Sequence, residues 1–155
     1  MNIQTLNKQR KFILIAAAVG FIAMFLPWVR ISFFGISNSV NGMHGSGILV
    51  FLCFIGAGVV AFLGDQTKNL DKTFWFIALV CGALASLIMV WNFIDAMGGG
   101  MSYLSIGFYL AVLASLGVLI SAYMFRNSTD SIKGGFDSLK KDIEEKSKGS
   151  NTPPA

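Results

Sequence analysis

Residues 74–94 read FWFIALVCGALASLIMVWNFI, 21 positions without one Lys, Arg, Asp or Glu. Strands do not run this long, and a transmembrane barrel needs alternating segments of about 10 residues, so the stretch predicts a helix. At about 1.5 Å of rise per residue it suits a hydrocarbon core about 30 Å thick. Three more uncharged runs surround it, at residues 47–63, 103–125 and 12–29, with 17, 23 and 18 positions. Only 13% of the 155 residues are charged, about half the share of a soluble domain. A globule of this size lacks the interior to hide so much apolar surface. The expected architecture is an all-α membrane protein. A four-transmembrane-helix bundle (12–125) joins a cytoplasmic N-terminus (1–11) to a cytoplasmic tail (126–155), and a short extracytoplasmic β-hairpin-like loop follows the first span.

The first run follows Lys8, Arg10 and Lys11, as in a signal peptide. Cleavage after Ala16-Ala17-Ala18 would leave an apolar core of four residues, which is too short. An uncleaved span is expected. The basic residues then set direction. Three precede the first run, two (Lys68, Lys72) lie between the second and third, and six follow residue 125. Eleven of twelve thus share one side, leaving Arg30 alone on the other. The positive-inside rule makes the shared side cytoplasmic, with both termini there. The same distribution accounts for the net charge of +4 without nucleic acid as a partner. Trp28, Trp75, Trp91 and Tyr123 fall at run ends, where such rings anchor at the headgroup level.

Helices in lipid associate by close packing, so small residues repeated every four positions mark contact stripes. These are Ala16 and Gly20 in the first run, Ala78, Gly82 and Ser86 in the third, and Gly107, Ala111 and Ser115 in the fourth. They serve packing within one chain or a contact between copies. In the loop WVRISFFGISNSVNGMHGSG, apolar positions alternate with polar ones on both sides of Phe34-Gly35, which predicts a hairpin turning there. Its apolar side either rests on the helix ends or meets a partner. In the second outer loop, Gly98-Gly99-Gly100 lets the chain reverse. In the tail, Ile132, Phe136, Leu139 and Ile143 are spaced 4, 3 and 4. They give an amphipathic helix over about 136–146 whose stripe suits the inner leaflet, followed by a disordered end.

No run contains an ionisable residue, which disfavours a proton-coupled carrier. No nucleophile–base pair is visible, so no catalytic residue is assigned. His44 is the sole histidine and has no clustered ligands, so neither metal nor cofactor is expected. Cys53 counts seventh from the outer end of its run and Cys81 eighth from the inner end of its own. That predicts two free thiols at different depths, unable to bridge. Arg30 and Asp95 are the only Lys, Arg, Asp or Glu residues expected outside, and Asp95 at a helix C-terminus would gain from a cation. They are expected to form an ion pair, with Asn92 one turn below.

Pro27-Trp28 at the end of the first run and Asn41-Gly42-x-x-Gly45 before the second resemble a group of small uncharacterised bacterial four-span inner-membrane proteins. The resemblance covers residues 12–125 and implies a bacterial inner membrane. Claudins share four spans and an outer β segment, but their loop carries a Gly-Leu-Trp and two Cys that this loop lacks. Small multidrug exporters carry a membrane Glu, and membrane disulfide-forming enzymes a Cys-x-x-Cys; both are missing here. Two functions follow as expectations. One is a non-enzymatic scaffold or accessory subunit whose partners are the lipid bilayer and a membrane protein or a second copy. The other is an oligomeric pore or facilitator lined by Ser86, Ser115 and Asn92.

Overall fold

A computed structural model describes residues 6–34, 36–98, 101–126 and 131–149. Most of them are helical. In order they form α1 (Lys8–Phe25), β1 (Pro27–Phe33), β2 (Ile36–Asn41), α2 (Gly47–Phe62), α3 (Lys72–Met97), a 3-10 turn (Met101–Tyr103), α4 (Ile106–Met124) and α5 (Ile132–Gly149). Helices α1 to α4 each pack on the next, and α4 returns to α1. This closes a ring with the β1–β2 hairpin at one end. The start of α1, the 63–71 loop and α5 lie at the other. These are called the hairpin end and the tail end.

Two helices, α3 and α4, are long and apolar enough to cross a membrane. Helix α2 is apolar but has only 16 residues, and α1 includes Lys8, Arg10 and Lys11 among its 18. Helix α1 also stops four residues before its apolar run does. Leu26 precedes Pro27 and takes an extended conformation (φ −75°, ψ 154°), because the proline ring disfavours helical geometry one residue earlier. Residues 27–29 therefore open a strand.

The ring's interior mixes small and large side chains, with Trp75, Phe54, Met24 and Met89 buried in it. Ala57, Ala78, Ala111 and Ala122 are fully buried, while Ile22, Leu52, Leu87 and Leu113 point outward. Glycines mark the closest approaches. Gly20 faces the Phe54 ring, and a Cβ on Gly82 would lie 2.9 Å from the Leu119 amide nitrogen. One on Gly107 would lie 2.8 Å from the Pro27 carbonyl oxygen. Ser86 and Ser115 are buried within the ring, and Ala16 meets the side of α4 at Gly117. The three small-residue stripes thus lie at contacts between helices of one chain.

Strands β1 and β2 pair antiparallel, with Val29 opposite Val40, Arg30 opposite Ser39 and Ile31 opposite Asn38. Opposed residues share a face, so Val29, Val40 and Ile31 lie on one side and Arg30, Ser39, Ser32 and Ser37 on the other. Phe34 takes φ 48° at the turn and is 95% exposed.

Three expectations are corrected. Helix α5 begins at Ile132 rather than near 136 and runs through Gly134-Gly135. The glycines do not weaken it because Gly135 sits directly on Phe76 of α3, where a Cβ would be 2.8 Å from the Phe76 Cβ. Phe136 adds an edge-on contact with the Phe76 ring, and the Thr73 hydroxyl donates to Asp142 at 2.9 Å. Cys53 and Cys81 are free, but their side chains neighbour each other across the α2–α3 contact. Cys53 lies nine residues before the end of α2 and Cys81 nine after the start of α3, which is the same depth in an antiparallel pair. Counting from opposite ends of runs of unequal length hid this. Trp28 and Trp75 are not interfacial anchors either. Both are buried, and each indole donates to a helix carbonyl, Trp28 to Ala23 at 3.0 Å and Trp75 to Ala122 at 2.8 Å. Gly35, Gly99, Gly100 and the tail beyond Gly149 lie outside the described residues.

Candidate functional site

The Trp28 ring lines a cleft of about 370 Å³ at the hairpin end, between the hairpin, the start of α2, the end of α3 and the start of α4. Several contacts fix this ring. The ring meets Phe108 edge-on, with centroids 5.5 Å apart. Gly42 lies flat against the indole, where a side chain would enter the ring, and its amide donates to Met24 at 3.0 Å. The Ser105 amide donates to the Trp28 carbonyl at 2.8 Å, and Val29 bridges Leu104. The hairpin is thereby tied to the start of α4, with its Val29–Val40 face turned into the cleft.

The rim is polar. Asn92 of α3 and Ser46 at the start of α2 hydrogen-bond each other (Asn92 Nδ2 to Ser46 Oγ, 3.0 Å). The Asn41 side-chain oxygen accepts from the Met43 amide at 3.3 Å and meets the His44 Nδ1 at 3.0 Å. Because that oxygen is an acceptor, Nδ1 carries the hydrogen, and the Nε2 of a neutral His44 ring is an acceptor. Asp95, in the last turn of α3, completes the rim.

The expected Arg30–Asp95 ion pair does not form. Among the described residues the ion pair present is Lys68–Asp65 at 3.6 Å. Strand alternation is the reason. Arg30 lies on the Ser39 face of the hairpin, beside Ser32 and Ser37, while Asp95 lines the cleft on the Val29–Val40 face. Asn92 is engaged by Ser46, not by Asp95. Ser115 donates back to Val112 at 2.8 Å within its own helix. Ser86 has no hydrogen-bond partner for its buried hydroxyl among the described residues. Both serines are buried within the chain.

The tail end holds the residues that sequence reasoning missed. Arg10 is 1% exposed and Gln9 is fully buried. The Arg10 guanidinium donates to Lys68 O at 2.8 Å, to Ala61 O at 3.2 Å and to Leu63 O. These carbonyls include the free ones at the C-terminus of α2, where the helix dipole favours a cation. Gln9 donates to Ala122 O and accepts from the Leu70 amide at 3.0 Å. The 63–71 loop is thus bolted to α1. On its exposed side, the Thr67 hydroxyl and amide hold the Asp65 carboxyl below its ordinary value. A signal for Arg10 did exist. Positions 10, 13, 17, 20 and 24 are the buried stripe of α1, at spacings 3, 4, 3 and 4, so Arg10 continues the core stripe outward.

Of the tail stripe, Ile132, Phe136 and Ile143 remain exposed and Leu139 is half-buried. The groove beside them is flanked by Lys140 and Glu144. Comparison of the chain with protein-family models, with curated proteins and with solved structures finds no match.

Proposed function

We propose that the chain is a four-span integral membrane protein of non-enzymatic type, a scaffold or accessory subunit, with the hairpin end outside and the tail end cytoplasmic. The observation that carries this is the belt of large apolar side chains that the ring turns outward. Those of α1, α2, α3 and α4 face outward on all sides, around a core in which Ala and Gly contacts sit beside Trp75, Phe54, Met24 and Met89. A water-soluble monomer seldom exposes one apolar patch beyond a few hundred Å². In lipid the same pattern is the stable one, since small residues allow close helix approach and large ones meet acyl chains. Helix α2 spans about 24 Å at 1.5 Å per residue. With Leu63 added it reaches the short end of the crossing range. Helix α3, with 26 residues, is longer than the core and tilts. Arg10 is compatible with this placement because its charge is spent on carbonyls at the membrane edge rather than on lipid. The exposed α5 stripe, flanked by Lys140 and Glu144, would then meet the inner leaflet. The pore reading loses support, because Ser86 and Ser115 are enclosed within one chain.

The test is cysteine accessibility in intact cells, in a chain whose Cys53 and Cys81 are changed to Ala. A cysteine at Ser39 should react with an impermeant maleimide from outside, and one at Ser147 only after lysis. Reaction of both before lysis, or extraction of the protein by alkaline carbonate, would sink the reading. The accessory role is checked by purification in a mild detergent. A stoichiometric membrane partner is the expected result, and a chain that purifies alone would refute it.

A further inference from the structure

We infer that the hairpin-end cleft is a binding site for an organic ammonium group carried on a small apolar body. The inference concerns a site in the folded chain and goes beyond the four-span reading without depending on it.

Three independent features converge on this chemistry. The first is shape. A volume of about 370 Å³ falls in the range of small-ligand sites, roughly 300–1,000 Å³, and the Trp28–Phe108 contact, the Gly42 approach and the Leu104 bridge hold its Trp28 side rigid. The second is charge. Asp95 places a carboxylate in the last turn of α3, where the carbonyl end of a long helix already carries partial negative charge. That exposed carboxylate has no ion-pair partner among the described residues, and Arg30 lies on the other hairpin face, in an adjoining hollow that it shares with Asn41 and His44. The N-termini of α2 and α4 also border the cleft and offset the α3 end, so Asp95 supplies the one full negative charge of the lining, and that charge selects a cation. The third is the choice of neighbours. The Asn41 oxygen engages the His44 Nδ1, which leaves Nε2 as the ring nitrogen open to a ligand. An ammonium presents several N–H donors, so it can meet a carboxylate and an imidazole together. The apolar remainder would lie over Val29, Val40 and the exposed edge of the Trp28 ring.

The same ammonium could come from a zwitterionic lipid headgroup or from a soluble amine. The probe is n-butylammonium, titrated calorimetrically into the intact protein in maltoside micelles, with n-butanol as its neutral counterpart. The indole N–H resonance of Trp28 reports where the probe sits. Butylammonium should bind and shift that resonance, and butanol should bind at least about tenfold more weakly. Asp95→Asn should weaken butylammonium by about tenfold while leaving the thermal midpoint unchanged, Asp95→Glu should recover part of the loss, and Arg30→Gln should not weaken it. Nanodiscs of phosphatidylglycerol with and without phosphatidylethanolamine then separate the sources. Competition by phosphatidylethanolamine assigns the site to a lipid headgroup, and lack of competition assigns it to a soluble amine. Equal affinity for butylammonium and butanol, or an Asp95→Asn chain that binds as well as the parent, would overturn the proposal.

Discussion

At the tail end of the ring, Arg10 and Gln9 reach across to the carbonyls of Ala61, Leu63, Lys68 and Ala122, and Trp75 adds its indole to the last of these. At the hairpin end, closure is done by backbone pairing and by rings. Ser105 and Gly42 donate from the main chain, and Trp28 packs on Phe108 and Gly42. The buried polar side chains of the tail end, Arg10 and Gln9, are thus consumed in holding the structure. Those of the hairpin end pair with one another at a rim (Asn92 with Ser46, Asn41 with His44) or stand free of ion pairs, as Asp95 does among the described residues. A polar group already satisfied by the fold has nothing left to offer a ligand. The difference explains why the end richer in charge is the structural one, while the end with one Arg and one Asp is the candidate binding end.

The comparison breaks most directly at Arg10. Arg10→Ala would leave several buried carbonyls without a donor, each costing about 1–3 kcal/mol, and would open a cavity. We expect a loss of about 3 kcal/mol or more, read as a large fall in the thermal midpoint in detergent and as early proteolysis at the 63–71 loop. Arg10→Lys should recover less than half of it, since an ammonium cannot span Lys68 O and Ala61 O as the planar fork does. A wild-type midpoint in Arg10→Ala would show that the tail end is not held as described.

At the hairpin end the corresponding break is steric. Gly42→Ala would push a methyl group into the Trp28 ring, and overpacking of this kind costs about 1–3 kcal/mol. The effect should also appear as a shifted Trp28 indole signal and a lost butylammonium response. Gly45, which has open space around its Cβ position but φ +58°, should cost about 1 kcal/mol on change to Ala for backbone reasons alone. It should leave the Trp28 signal in place. Equal signals from both variants would remove the ring contact as the element that closes this end.

Much of this was legible in the residues. The hairpin about Phe34-Gly35 follows from a period of two in Val29, Ile31, Phe33 and in Ile36, Asn38, Val40, and the small-residue stripes at Gly20, Gly82 and Gly107 follow from their period. What was not legible has physical causes. Positive-inside counting treats Arg10 as one of eleven equivalent charges, although its place on the α1 stripe buries it. Trp28 and Trp75 have the composition of interfacial anchors, and only their distance to a carbonyl reveals internal hydrogen bonds. Gly134-Gly135 reads as a helix breaker because the Phe76 surface it fits belongs to a residue 59 positions away. The cleft itself joins residues from four elements, none of which carries a motif.

A finer test lies in the Ser46–Asn92 pair, which links the start of α2 to α3 at the cleft rim. Because the pair is exposed, Asn92→Ala should cost no more than about 1 kcal/mol. Its larger consequence should be for the cleft, with butylammonium binding weakened because the rim is no longer set. Unchanged binding in Asn92→Ala would show that the rim pair is incidental to the site.

The smallest effect concerns Arg30 and Asp95, the two charges that sequence placement alone puts together. If strand alternation separates them as the register requires, with Arg30 opposite Ser39 and Val29 turned to the cleft, their charges interact only through solvent. Exposed charges without contact contribute little to stability, and salt screens what remains. A double-mutant cycle of Arg30→Gln, Asp95→Asn and the double variant should therefore be additive to within about 0.5 kcal/mol in the thermal midpoint. The ligand response supplies the contrast. Asp95→Asn should weaken butylammonium binding by the same factor whether or not Arg30 is present, because the carboxylate acts on the ligand and not on the guanidinium. A coupling above about 0.5 kcal/mol would mean that the two side chains meet after all. Arg30 would then compete with any cation for Asp95, and Arg30→Gln would strengthen binding instead of leaving it unchanged.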